Sequence, residues 1–367
     1  MLDYVQKMNV MKKRFSFRMI MLLTAIIMVS CSDKVYNNSL TFVPLDGVEA
    51  NGGSFKDYLK MTTCIPIEEP TDYHIDRVTK VEVYNGDYYV LCASDIAGLM
   101  VFNKNGKFVR KISRKGNGRG EYMRIFDFTI DRKNKRILML CDNASNVRIY
   151  DMSGKYIDSK LISDVSFRNI ACINGKILCT TDHQGFTKSN NLFYLFDEKF
   201  NLVKSGTEVS DNSMGVTSLI PSCLKVYGDK FVYSDFYTHT LYVLNDDGEI
   251  EKGFQYEKES LMPMKYFKNF KSFEEKQFKY DFVFNNALYK DKCITSYKNG
   301  RSMQLSICES DGKKVVNRTL TGVCPDFVGY DGEQIVTVLP LDMMKSMYPN
   351  NIKTDSTFFY IVKYKLK

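Results

Sequence analysis

The chain has 367 residues, 44% of them hydrophobic and 13% aromatic, with no Trp and only 8 Pro; this supplies a full core and favours strands over disorder or a helical bundle. The formal charge of +8 is concentrated at the N-terminus. Residues 1–30 hold Lys7, Lys12, Lys13, Arg14 and Arg18 against Asp3, and the rest carries 46 basic and 42 acidic residues with no dense basic arm, which argues against a nucleic-acid partner.

Met11-Lys12-Lys13-Arg14 and Arg18 form a positive leader, followed by an apolar stretch from Met19 to Val29. That stretch is too short to span a bilayer and has the layout of a cleaved export signal. Met28-Val29-Ser30-Cys31, running into polar Ser32-Asp33-Lys34, resembles a bacterial lipobox, with Met28 where Leu is usual. The resemblance implies that the Cys31 thiol is acylated and that the lipid holds the protein on the outer membrane, facing the periplasm or the cell surface. The expected organisation is a signal peptide at 1–30, a lipidated tether at 31–54 and a folded domain at 55–367. The other nine cysteines include Cys92, Cys141, Cys179 and Cys308 at the ends of apolar runs. None forms a CxxC or a Cys/His cluster with zinc spacing, so they read as small buried hydrophobes.

From residue 78 onward a pattern repeats. Val78–Tyr84, Tyr88–Cys92, Leu99–Asn103 and Phe108–Ser113 read as four strands separated by polar turns. Similar units run over about Phe126–Leu161, Val165–Ser205, Leu219–Tyr256 and Phe282–Leu320. Each contains an apolar run followed by a turn, beginning at Asn103, Asp151, Asp197, Asn245 and Glu309, with Gly or Asn where a positive φ is needed. Four strands in a unit of about 40–50 residues describe a β-propeller blade. A sixth unit, with strands near Asp326–Tyr330, Gln334–Leu339 and Thr357–Lys365, lacks one strand, which Leu59–Ile67 can supply. The expected fold is therefore an all-β, six-bladed propeller of four-stranded antiparallel blades, whose closing blade is shared by the two ends of the chain; five or seven blades would also accommodate the spacing.

Lys115-Gly116-Asn117-Gly118-Arg119-Gly120-Glu121-Tyr122 leads into Phe126–Asp131, then Asp142, Asn146, Arg148-Ile149-Tyr150-Asp151 and Gly154. This unit resembles an NHL-type propeller repeat. With the lipobox and Ile65-Pro66-Ile67-Glu68, the chain resembles the six-bladed β-propeller lipoproteins of Bacteroides-type bacteria over about residues 55–365. That resemblance implies fold and address rather than a reaction.

Several groups carry candidate chemistry. Gly116, Gly118 and Gly120, with Arg114, Lys115 and Arg119, could form an anion-binding nest, although the resemblance makes them an interblade connection. Asp142, Asn146 and Arg148 match NHL positions that tie a turn together. His183 and His239 are expected in exposed blade loops that could converge on the axis, while His74 stands apart. The 257–280 stretch reads as an insertion, with Lys265, Phe267 and Phe270 among its interleaved lysines and aromatics and Ser272-Phe273-Glu274-Glu275 as a capping box. It is either packed on the rim or a lid or partner-docking arm. No nucleophile, dyad or metal set stands out. The expected role is a binding or scaffold propeller for a glycan, peptide or envelope protein, without a cofactor. The alternative is a propeller-type hydrolase or lyase with an axial divalent cation.

Overall fold

A computed structural model describes residues 40–47, 49–72, 75, 77–93, 98–112, 115–183, 190–209, 213–216, 223–300, 302–322, 324–352, 357 and 359–367. Cys31, His74 and Arg114 lie outside the described residues. In chain order, β1 (Leu40–Pro44), β2 (Glu49–Gly53), the one-turn helix α1 (Phe55–Tyr58) and β3 (Leu59–Ile67) come first. Blade 1 is β4 (Val78–Tyr84), β5 (Asp87–Cys92), β6 (Leu99–Phe102) and β7 (Phe108–Ile112). Blade 2 is β8 (Ile125–Asp131), β9 (Arg136–Cys141), β10 (Asn146–Asp151) and β11 (Tyr156–Leu161). Blade 3 is β12 (Asn169–Ile173), β13 (Lys176–Thr180), β14 (Asn191–Phe196) and β15 (Leu202–Glu208). Blade 4 is β16 (Leu224–Tyr227), β17 (Lys230–Asp235), β18 (Thr240–Leu244) and β19 (Ile250–Glu257). After a 3-10 turn and helix α2 (Phe270–Lys276), blade 5 is β20 (Phe282–Tyr289), β21 (Lys292–Asn299), β22 (Ser302–Cys308) and β23 (Lys314–Leu320). Blade 6 is β24 (Phe327–Asp331), β25 (Gln334–Pro340) and, after helix α3 (Leu341–Met347), β26 (Phe359–Leu366).

The sheets give the ring. Strands follow one another in order within each blade, and β3 pairs antiparallel with β26, from Ile67 opposite Phe359 to Leu59 opposite Leu366. The N-terminal strand therefore completes the sixth blade, as expected. The segment before it adds something the sequence did not suggest: β1 extends the sheet of blade 4 beyond β19, and β2 runs parallel to β23 at the edge of blade 5. Leu40–Pro44 and Glu49–Gly53 of the expected tether are thus laid along sheet edges, which satisfies otherwise open backbone groups.

Why these sequences form blades is visible in the alternation of β9. Ile137, Met139 and Cys141 face the cluster shared with blade 1, while Leu138 and Leu140 face the cluster shared with blade 3. Strands buried on both faces read as unbroken apolar runs, and Leu138-Met139-Leu140-Cys141 is one. Among the described residues the buried apolar side chains fall into six clusters, one between each pair of neighbouring blades.

The five turns share one geometry. In the first, Asn103 N–H donates to Lys107 O, Gly106 N–H returns to Asn103 O, and the Asn103 Oδ1 accepts from the N–H of Asn105 and Lys107. Asp151 and Asp197 repeat this pattern in full. The left-handed fourth position is Gly106, Gly154, Gly248 or Gly312, but in the third turn it is Phe200 at φ 67°, neither Gly nor Asn. The Arg136 guanidinium lies 5.4 Å from the Phe200 ring and holds it there.

Candidate functional site

The first strand of each blade lines the axis, and polar side chains tie one blade to the next. The Glu82 Oε2 of β4 accepts from Ile130 N–H of β8 at 3.0 Å. The Asp127 Oδ2 of β8 accepts from Ile170 N–H of β12 at 2.9 Å, and Thr129 Oγ1 from Cys172 N–H at 3.1 Å. Asn169 Oδ1 accepts from Cys223 N–H, and Asn285 Oδ1 of β20 from Phe327 N–H of β24. Register shifts lie just before Lys80, Asp127, Asn285 and Gly329, so a bulge re-aims the strand at matching points of four blades. Gly329 is required: a Cβ there would collide with the Val81 carbonyl of the next blade.

Three of these tie points carry charge. The Lys80 ammonium, 2% exposed, donates to Asp127 Oδ2 at 3.0 Å and to Ile170 O at 2.9 Å, with Glu82 Oε1 at 3.8 Å. One lysine thus joins blades 1, 2 and 3. Burial pushes the Asp127 carboxyl up to about 6, against the pull of Lys80. Lys225 on β16 is also buried, and burial, reinforced by the Lys80 charge, brings it down to about 8. Burial raises Asp326, opposed by Arg77 and Lys225.

A cavity of about 230 Å³ opens beside this network. Its walls are Lys80–Val83 of β4, Lys225 and Val226 of β16, and Gly329–Asp331 of β24. Arg132, Gly228 and Gly332, from the turns after three first strands, form the rest. Arg132 Nη2 donates to Val83 O at 2.7 Å, and Asp331 Oδ2 accepts from Lys363 Nζ at 2.6 Å. The buried Glu82 Oε1 has no hydrogen-bond partner. The site therefore offers a buried amine, a guanidinium and a carboxylate oxygen in a space of small-molecule size.

The residues singled out from sequence lie elsewhere. The glycine-rich loop is filled by its own acid: Gly118 N–H donates to Glu121 Oε2 at 2.9 Å, and a Cβ on Gly116 would collide with the same carboxylate. Arg119 stacks over Tyr156, Lys115 bridges to Tyr122, and Gly120 O accepts from Tyr150 OH. Asp142 pairs with Arg148 and accepts from Met123 N–H, and Asn146 accepts from Ser159 Oγ. Asp142 and Arg148 thus tie the β9–β10 turn as expected, whereas Asn146 bonds across to β11.

The structure does bring His183, His239 and Phe267 together, but in packing. Both histidines are buried rather than exposed. His183 Nε2 meets Asp235 Oδ2 at 2.8 Å and its ring stands edge-on to Tyr237. His239 Nε2 donates to Met262 O, its ring lies against Phe267, and burial lowers its pKa. Phe267 is fully buried, so it anchors the 257–280 insertion and cannot meet a ligand there. Lys265 is exposed beside Tyr266, and Phe270 is 60% exposed. Helix α2 begins at Phe270 rather than Ser272, because Asn269 Oδ1 caps it by accepting from Ser272 N–H. Among the described residues no three His, Cys, Asp or Glu side chains are grouped to hold a metal ion.

Sequence reading passed over Lys80, Glu82, Asp127, Arg132 and Lys225. A signal existed: Lys80 and Glu82 in VTKVEVY, Asp127 in IFDFTID and Lys225 in LKVY are charges set among apolar residues of first strands.

The fold and site can be set beside known proteins. The chain belongs to the family described as Domain of unknown function (DUF4934), whose model matches residues 44–363. Its structure is similar to that of an exported protein of Bacteroides fragilis NCTC 9343, at 14% identity and a TM-score of 0.69, covering 90% of this chain and 100% of that one. It is also similar to a DUF4221 family member from Bacteroides vulgatus ATCC 8482, at 11% identity and a TM-score of 0.55, covering 85% and 99%. These likenesses establish the propeller fold. No curated protein matches the chain.

Proposed function

We propose that this protein is an envelope binding propeller, held at a membrane by a lipid on Cys31, whose axial cavity receives a small polar ligand or the polar end of a glycan or peptide. The observation that carries the reading is the meeting of Lys225, Glu82 and Arg132, from three blades, around one cavity. Lys80 ties blades together, but the cavity beside it gathers further charged groups from three blades around a space of small-molecule size. A ligand with a donor for Glu82 Oε1 and an acceptor for the Arg132 guanidinium would be held from two blades at once. The address is supported by the leader, and an exported structural neighbour agrees with it.

Two measurements test the reading. Thermal shifts of the purified protein against sugars, amino acids and short peptides should find a ligand that stabilises it, and Lys225→Met or Glu82→Gln should abolish the shift. A shift unchanged in both variants moves the site off the axis. For the anchor, Cys31→Ala should release the protein from membranes; continued membrane attachment with unchanged mass would overturn it.

A further inference from the structure

We propose that Cys293 and Cys308 are a redox site, closing as a cross-strand disulfide between β21 and β22 by exchange with a disulfide-bearing oxidant. The site lies in blade 5, outside the axial cavity, and does not depend on it. Cys293 and Cys308 stand directly opposite each other in the antiparallel register of the two strands. Opposed residues in such a pair point to the same face with Cα atoms about 4.5–5.5 Å apart, within the span of a disulfide. Both side chains lie in the apolar cluster between blades 4 and 5, 0% and 1% exposed. A register one residue out would have sent them to different partners and different faces. Among the described strand pairs no other cysteine faces a cysteine: Cys64, Cys92, Cys141, Cys172 and Cys179 all stand opposite other residue types.

The surroundings set the roles of the two sulfurs. Cys293 Sγ meets Tyr256 OH of β19 at 2.7 Å and Thr295 Oγ1 at 3.5 Å. Burial pushes the Cys293 thiol up, but hydrogen bonds with Cys308, Thr295 and Tyr256 outweigh it and bring it below its ordinary value. Cys293 is therefore the attacking sulfur and Cys308 the resolving one. The Cys293 thiol gives its proton to solvent, and its sulfur attacks the external disulfide. A mixed disulfide forms and one thiolate leaves. Cys308 then loses its proton, bonds to the Cys293 sulfur and expels the second thiolate. Two protein thiols and one external disulfide become one protein disulfide and two external thiols. Tyr256 is not stranded by the change, because Thr295 Oγ1 also donates to its hydroxyl. Lys292 and Glu309, next to the two cysteines in sequence, form an ion pair whose side chains are 31% and 32% exposed. The thiols thus lie one residue beneath the surface, and exchange follows local opening of this end of the hairpin or precedes ring closure.

The test is disulfide mapping of the purified protein after refolding from urea into glutathione disulfide. Free thiols are alkylated with N-ethylmaleimide in denaturant, without reductant, before digestion with trypsin. Cleavage at Lys292, Lys298, Arg301 and Lys313 puts the two cysteines on separate peptides. Those peptides should be recovered joined and unalkylated, and should part on reduction. The loss of alkylation should be confined to this pair, with Cys141 and Cys179, equally buried, still labelled. Alkylation of both cysteines overturns the proposal. So does a bond from either one to another cysteine, or glutathione left on Cys293 with Cys308 free. A reductant should also lower the melting temperature of the oxidised protein while leaving that of Cys308→Ser unchanged; equal shifts in the two overturn the redox site. Should the variant fail to fold, the map of the unaltered chain decides.

Discussion

The rim turns and the axial strands follow opposite rules. At Asn103, Asp151, Asp197, Asn245 and Glu309 the same pair of backbone hydrogen bonds closes each turn, with a left-handed residue at the fourth position. At the axis, the residues after the four bulges are Lys80, Asp127, Asn285 and Gly329, four different chemistries. The rim turn solves a local problem within one blade, so one solution serves five times. The axis is a space shared by all blades, and repeating one residue there would crowd like groups together. Departure from the repeat therefore marks where function is to be sought.

That contrast can be broken most severely at Asp127. Asp127→Ala would leave the Lys80 ammonium buried without its carboxylate and remove the acceptor of Ile170 N–H. Loss of a buried partner costs about 3–5 kcal/mol, measurable by urea denaturation. A loss below about 1 kcal/mol would mean that the axis contributes no more than a surface ion pair.

Lys225→Met should act in the other direction. Folded Lys225 titrates near 8 and its ordinary value is 10.5, so between those values the unfolded chain binds more protons. Wild-type stability should therefore rise with pH across that window, and the variant should lack the rise. At pH 7 the variant should be more stable by about 3 kcal/mol while losing ligand binding. Parallel stability profiles from pH 7 to 10.5 would show that Lys225 is not destabilising. The smallest effect belongs to the rim. Asn103→Ala removes the acceptor for two backbone N–H groups and should cost about 1 kcal/mol, read by urea denaturation.

Much of the ring was legible because its cause is periodic. Turn spacing marked the blades, and β3 falls on Leu59–Ile67, the strand the incomplete sixth unit lacked. Phe200 escaped because its left-handed backbone is supported by Arg136, a contact from another hairpin. The histidines were misplaced in depth, since the insertion that covers them is remote in sequence from His183. Most of the site was illegible for a related reason. Lys80, Asp127 and Ile170 meet only after three blades have been set around an axis, and each bulge shifts the alternation by which a strand's inward face is read. The glycine-rich loop drew notice by composition, yet its nest is occupied by Glu121.

The strands β1 and β2 bear on the order in which the molecule is made. Their partners are β19 and β23, and β3 waits for β26. The first part of the ring to leave the ribosome therefore has its docking places in the last three blades. Until those arrive, it can only remain unpaired. Once docked, the same stretch binds late-made blades to the earliest-made strands, so unravelling from the C-terminal end must also peel away the beginning of the ring. Such long-range pairing favours slow closure, and trimming the chain to residue 55 would discard the straps that join the two ends of its synthesis.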